Sequence, residues 1–376
     1  MDVLVLVSRD PANPYLGGGE QVVAVFARAL IDAGHRVRMV CARFPSSRVH
    51  EDVDGMQIDR VAGEKLLGPA AWLAYERRFR RQTDLVLTEV IGGARIPFFA
   101  PLYVNKPIIA VWHQDHLPIF EQQYGRVYMP AFSALERILL LVHSRSSFLV
   151  PSRKSRDDLI GKGADPRLIR VFHPGLPRTL LQSDAPPKSE SREPRVVCLG
   201  KMRRYKSCHH ALFVLAALIP IVPGVRLSVI GRSDDPGYLA ELRGIAKKLR
   251  VEDKVEFLVN ASEVQKVERL RTSRALLAPA PVEGFGIAIA EANACGLPAV
   301  GTEGVPLDTL QDGRNGFRVP FMGFAEMTDR TARLLTDNDL FDRMSAESRN
   351  FAQQFTIANS VQPLLRLVAE MDVRRS

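Results

Sequence analysis

Residues Val3 to Val7 form an unbroken apolar run, the pattern of a strand buried on both faces of a parallel sheet. A loop containing Gly17, Gly18 and Gly19 follows, then helical periodicity from about Glu20 to Ala33, the pair Gly34-His35, and a second apolar run from Val37 to Cys41. That succession predicts one βαβ unit with a glycine-rich turn at the carboxyl end of its first strand, where open parallel sheets bind ligands. Asp84 to Thr88, Ile108 to Trp112 and Ser147 to Val150 read as further strands, with helices over Pro69–Gln82 and Met129–His143 between them. From Pro177 to Pro194 the chain is rich in Ser, Pro and charge and offers almost nothing to bury, so it reads as a linker.

After it the alternation restarts. Strands are expected at Arg195–Leu199, Arg226–Ile230, Val255–Leu258, Ala275–Ala278 and Ala299–Thr302, with helices Cys208–Ile219, Tyr238–Leu249 and Ser262–Thr272 among them. Helical patterns near Phe324–Leu335, Leu340–Phe355 and Asn359–Val373 close the chain. The expected class is α/β, with two Rossmann-like, doubly wound parallel-sheet domains facing across a cleft. The divisions are residues 1–176, a linker at 177–194, a second domain at 195–354, and a terminal helix in 355–376 that packs back on the first domain. A length of 376 residues suits two domains of that size.

Composition narrows the setting. The net charge of +9 favours anionic partners, among which nucleotides, phospholipid head groups and nucleic acid are equally compatible. Cys41, Cys198, Cys208 and Cys295 are scattered without a C-x-x-C spacing and read as reduced core residues. The first residues start a strand without a basic leader, and the apolar stretch from Ala211 to Val225 is broken by Pro220 and Pro223, so a cytoplasmic, non-spanning protein is expected.

The most informative stretch runs from Glu283 through Gly-Phe-Gly to Glu291. Small helix formers continue to Gly296, so Glu291 falls inside a helix and Glu283 in the loop before it. A helix start offers unpaired N–H groups and a positive dipole end to a phosphate, while carboxylates accept hydrogen bonds from sugar hydroxyls. The geometry points to a sugar nucleotide.

Together with Gly296-Leu-Pro-Ala-Val300, Asp312-Gly313 and Asn315-Gly316, this stretch resembles family 4 of the retaining glycosyltransferases, whose members have two Rossmann-like domains in the GT-B arrangement. Gly17 to Gly19, Gly34-His35, Val150-Pro-Ser152 and Gly200 to Lys206 fall in the expected order, so the resemblance covers most of the chain. It implies an acceptor-binding first domain and a nucleotide-sugar-binding second domain. It also implies that Glu283 contacts donor-sugar hydroxyls near the reacting centre and that Glu291 takes the ribose hydroxyls, a task suited to a carboxylate's two oxygens. The amides of Phe285 and Gly286 would lie against sugar and diphosphate, and Gly18 and Gly19 close to the donor phosphates. Lys206 matches a lysine that neutralises the leaving diphosphate. Lys201 stands where the family has arginine and Ser207 where it has glycine; Arg204 or Arg203 is placed to compensate for the loss of a bidentate clamp at Lys201. His113 corresponds to a histidine beside the donor sugar.

Other patterns carry rival readings. His113, Asp115 and His116 share one short loop, which seldom completes a metal site alone, and no metal is expected. Asp52-Val-Asp54 precedes a hairpin-like stretch and reads as turn chemistry. Trp72, Tyr75 and Phe79 lie at helical spacing beside Arg77, Arg78, Arg80 and Arg81, which suits either a core-facing stripe or contact with an anionic membrane surface near a lipid-linked acceptor. The resulting expectation is a retaining hexosyltransferase that moves sugar from a UDP- or GDP-sugar to an acceptor hydroxyl, with no tightly bound cofactor, at or near the inner membrane face. A sugar-nucleotide epimerase on the same scaffold is the rival enzyme. A nucleic-acid-binding protein ranks last, since zinc-finger, helix-turn-helix and RRM signatures are missing.

Overall fold

The computed structural model describes residues 1–90, 97–182, 186–233 and 235–373. The chain divides into two compact units, Met1–Gly175 with Ile357–Ser376, and Leu176–Thr356.

In the first unit the strands are β1 (Asp2–Leu6), β2 (Arg36–Ala42), β3 (His50–Val53), β4 (Met56–Ala62), β5 (Leu85–Glu89), β6 (Ile108–Val111), β7 (Ser147–Val150) and β8 (Ile169–Val171). Among the described residues they form one sheet in the order β3-β4-β2-β1-β5-β6-β7-β8. Every pairing is parallel except that of β3 with β4, so the expected parallel sheet carries one antiparallel edge. Asp54 and Gly55 join that edge hairpin with positive φ values of 53° and 80°, the backbone a tight two-residue turn requires, and the Gly55 N–H donates to Asp52.

Helices α1 (Gly18–Asp32), α2 (Leu67–Ala74), α3 (Leu117–Tyr124), α4 (Met129–Val142) and α5 (Arg153–Gly161) connect these strands. Helix α1 buries Val22, Val23, Phe26, Ala27 and Leu30 on the sheet. It stops at Gly34, whose N–H bonds the Ile31 carbonyl while that of His35 reaches Leu30, the left-handed cap for which glycine is suited.

The helix expected over Pro69–Gln82 differs from the prediction. Beyond Ala74 the backbone widens into a π turn over Tyr75–Phe79, and the Arg80 N–H bonds the Tyr75 carbonyl. Tyr75 and Phe79 therefore enter the core, Tyr75 without any exposure and bonded to Asn105, while Trp72 stays about half exposed. Arg78 pairs with Asp59 and Arg80 with Glu76. An aromatic membrane face that includes Tyr75 is thus corrected: the ring is core. Among the described residues, no helix is long and apolar enough to cross a membrane.

The second unit contains β9 (Arg195–Leu199), β10 (Arg226–Gly231), β11 (Val255–Val259), β12 (Ala275–Ala278), β13 (Ala299–Thr302) and β14 (Gly316–Val319). They pair in parallel in the order β11-β10-β9-β12-β13-β14. Its helices are α6 (Arg178–Leu181), α7 (Cys208–Leu218), α8 (Pro236–Lys248), α9 (Glu263–Thr272), α10 (Ile287–Ala294), α11 (Phe324–Thr336) and α12 (Asn338–Ala352). Two hydrophobic clusters cover its sheet, one built on α7 with α11 and one on α10 with Phe351 and Phe355.

The stretch read as a linker is exposed over much of its described length but is anchored at Leu180, Leu181, Ser189 and Arg192, which are buried; Ser183, Asp184 and Ala185 lie outside the described residues. Leu180 and Leu181 join the α10 cluster, and Ser189 bonds Asp342 through its N–H and hydroxyl. Arg192 is buried against the carbonyls of Pro187, Leu270, Ser273, Cys295 and Gly296 and over the Phe341 ring. Polar side chains dock this segment, which is why its composition looked unable to bury anything.

Helix α13 (Ile357–Val373) belongs to the first unit, where Val361, Leu364, Leu367 and Val368 join the cluster that contains α1. The four cysteines are buried thiols.

Candidate active site

In the second unit, the loop between β12 and α10 brings Glu283 to Lys206, whose Nζ donates to Glu283 Oε1 at 2.6 Å. Lys206 lies in the short turn between β9 and α7, so both groups stand on loops that follow the carboxyl ends of adjacent central strands. Burial works against the lysine's charge, but the Glu283 carboxylate beside it more than compensates and holds the ammonium well above its usual range. Lys206 is thereby kept a fixed cation on the loop that follows β9.

Gly286 takes a left-handed conformation (φ 93°) at the start of α10, and a Cβ there would press to 3.3 Å from Ile289 Cδ1. Phe285 is buried against Phe355 and its carbonyl accepts from Thr309, so its side chain is core and only its backbone is suited to a ligand. One turn into α10, Glu291 Oε1 accepts from Lys266 Nζ at 2.7 Å, and Lys266 also holds Glu263. Burial pushes the Glu291 carboxyl above its usual range, and Lys266 opposes that push.

Lys201 lies in the same β9–α7 loop, half-buried. Arg204 is engaged elsewhere: it pairs with Glu241 and lies over the Tyr238 ring, an exposed contact on the α8 side. Ser207 holds the left-handed conformation (φ 53°) at the start of α7.

In the first unit, Gly18 and Gly19 open α1 and His113 follows β6. A Cβ on Gly19 would fall 2.9 Å from His113 Nε2, so the ring lies directly against the helix start. His113 Nε2 is 3.2 Å from Oε1 of Glu89, whose Oε2 accepts from the N–H and hydroxyl of Ser8 at 3.0 and 3.1 Å. Burial would raise the Glu89 carboxyl, but His113 and Ser8 outweigh it and keep it below its usual range, ionised. His113, Asp115 and His116 have separate partners. Asp115 takes Lys162 and the Leu117 N–H, while His116 packs between Trp112 and Phe120, where burial pushes its imidazole down to about 4. Among the described residues no group of three or more His, Cys, Asp or Glu is arranged to hold a metal ion.

Glu89 and Lys266 were not read from the sequence. The signal for Glu89 was present: a buried apolar strand that ends on a carboxylate at its carboxyl end. Lys266, on an ordinary charged helix, gave none.

Two family profiles cover this chain, "Glycosyltransferase Family 4" at residues 16–179 and "Glycosyl transferases group 1" at residues 182–351. The chain belongs to glycosyltransferase family 4. A D-inositol 3-phosphate glycosyltransferase from Streptomyces bingchenggensis is 26% identical over 57% of this chain and 50% of that protein. The chain thus spans about half the length of such curated relatives. Among solved structures, sucrose-phosphate synthase from Thermosynechococcus elongatus matches with a TM-score of 0.81 at 19% identity over 100% of both chains. HepE from Anabaena, solved in complex with UDP and glucose, matches with a TM-score of 0.76 at 18% identity over 98% of this chain and 100% of that one. At these identities the structural likeness is one of fold, the two α/β units of the GT-B glycosyltransferases.

Proposed function

We propose that this glycosyltransferase moves a hexose from a UDP-sugar to a hydroxyl-bearing acceptor with retention at the anomeric carbon. The observation that carries the reading is the Lys206–Glu283 pair beside the start of α10, with Glu291 one turn further along. In this assignment Glu283 orients the sugar through its hydroxyls, Glu291 accepts from the ribose, and Lys206 with Lys201 neutralises the diphosphate. Backbone N–H groups at Phe285 and Gly286 complete the phosphate contacts. Gly18, Gly19 and His113 of the first unit are assigned to the donor's phosphates and sugar. Arg204, held by Glu241, must release that partner before it can serve the donor.

The chemistry needs no protein nucleophile. The anomeric C–O bond to the β-phosphate breaks, the acceptor oxygen bonds the same face of that carbon, and its proton passes to the departing diphosphate. Catalysis then consists of positioning and of stabilising the charge that develops on the leaving group. UDP is preferred over GDP because the neighbour HepE was solved with it.

A thermal-shift screen against UDP, GDP, ADP and a panel of UDP-sugars tests this. UDP and one or more UDP-sugars should raise the melting temperature while GDP and ADP do not. Stabilisation by GDP alone would move the donor assignment, and none by any nucleotide would overturn the reading.

A further inference from the structure

Strand β5 lies between β1 and β6, and its last residue, Glu89, is joined to the two loops that leave those neighbours. The side chain is 2% exposed, yet among the described residues its charged partner is His113 alone. Arg9, which follows Ser8 in the chain, is committed to Glu64 and Glu20. Burying a carboxylate this way is costly unless each oxygen is occupied, and here each is: Oε2 by two donors from Ser8, Oε1 by the imidazole. With Ser8 fixing one oxygen, the other points at one place.

An ionised carboxylate only accepts hydrogen bonds, so the His113 nitrogen facing it must carry the proton. In the neutral ring that leaves Nδ1 as an acceptor. Gly19 bounds the same ring, because any side chain there would strike it. The imidazole is therefore constrained both in position and in which nitrogen offers a lone pair.

We propose that Glu89 is a positioning residue of the transfer site: held by Ser8, it fixes the tautomer and direction of the His113 ring and so determines what that ring presents to the donor sugar. This rests on the reading of His113 given above, and no direct contact of Glu89 with substrate is invoked.

Glu89→Gln tests it, because the amide oxygen retains the Ser8 contacts while the amide nitrogen turns a donor toward Nε2, which must then lose its proton. The first measurement needs no substrate. Long-range proton–nitrogen NMR on the histidine-labelled full chain, with His113 assigned by its absence in His113→Gln, should show the proton on Nε2 in the wild type at neutral pH. In Glu89→Gln it should move to Nδ1. His116, Asp115 and Lys162 are the other titratable groups about this loop, and their variants should leave the tautomer unchanged. A wild-type proton on Nδ1, or a tautomer indifferent to Glu89→Gln, overturns the proposal whatever the substrate.

The second measurement uses the UDP-sugar returned by the donor screen. Glu89→Gln should lower kcat/KM by about tenfold or more, since the ring then offers the donor sugar a different nitrogen. In a His113→Ala background the same change should cost less than about twofold. Equal losses in both backgrounds would show Glu89 acting independently of His113 and sink the idea. A fully active His113→Ala would instead refute the histidine's role.

Discussion

Lys206 and Glu283, 77 positions apart in sequence, are joined by a 2.6 Å hydrogen bond between Nζ and Oε1. Each is less than a quarter exposed. In the proposed assignment a phosphate that takes up the ammonium competes with Glu283, and a sugar that occupies Glu283 loosens Lys206, so donor binding would exchange partners within this ion pair. Lys206→Ala should lower kcat by about 100-fold or more, the size of effect seen when a donor to developing charge is removed. Glu283→Ala should do the same, and both should retain cooperative unfolding. Near-wild-type turnover in either variant would refute its assignment.

Glu291 offers a test by pH. Its carboxyl is raised by burial, with Lys266 opposing the rise, so on acidification it gains a proton sooner than an ordinary glutamate, and in the proposed assignment it then accepts less fully from ribose hydroxyls. UDP affinity measured by calorimetry should fall between pH 7.5 and 5 more steeply in the wild type than in Glu291→Gln. The glutamine variant reports the nucleotide's own titration. Removing Lys266 takes away the opposing charge and raises the carboxyl further, so in Lys266→Met the fall should begin at higher pH. Identical pH profiles in wild type and Glu291→Gln would exclude the ribose contact.

Much of the scaffold could be read because parallel strands buried on both faces appear as apolar runs. β1, β7 and β9 lie within a residue of where that pattern put them. Helix α5 was missed because Arg153 to Asp158 carries almost no apolar face and depends on the Ser152 cap, whose Oγ accepts from the Ser155 N–H. Of the two readings of the Trp72, Tyr75 and Phe79 stripe, Tyr75 and Phe79 follow the core-facing one, while the π turn that carries them has no counterpart in a 3.6-residue period. Motif order singled out Glu283 and Lys206, which the structure brings together, whereas Glu89 and Lys266 meet partners 24 and 25 positions away, which spacing does not reveal.

Ser207 supplies a backbone test. It holds φ 53°, a conformation that costs an L-residue about 1–2 kcal/mol and glycine nothing, at a position where the resemblance expects glycine. Ser207→Gly regains that strain but makes the unfolded chain more flexible, at a cost of about 0.4–1 kcal/mol. The expected net is a gain of up to about 1.6 kcal/mol in urea unfolding. Ser207→Val, branched at Cβ, should lose stability. A loss in Ser207→Gly as large as that in the valine variant would show that the serine side chain anchors the loop.

Gly19→Ala separates the demands of a helix from those of the ring beside it. Alanine within a helix is favoured over glycine by up to about 1 kcal/mol, yet its methyl would stand 2.9 Å from His113 Nε2. The movable member of that contact is the imidazole, so the clash should displace the ring from Glu89 while the backbone holds. Gly19→Ala should therefore keep the wild-type melting temperature within a few degrees and still lower kcat/KM about tenfold or more, since misplacement of a positioning group by about 1 Å is enough for such a loss. In a His113→Ala background the obstacle is gone, and the same substitution should raise stability by the full helical increment with no further loss of activity. If Gly19→Ala costs activity equally with and without the histidine, the glycine serves the ligand's own approach to the helix and not the ring.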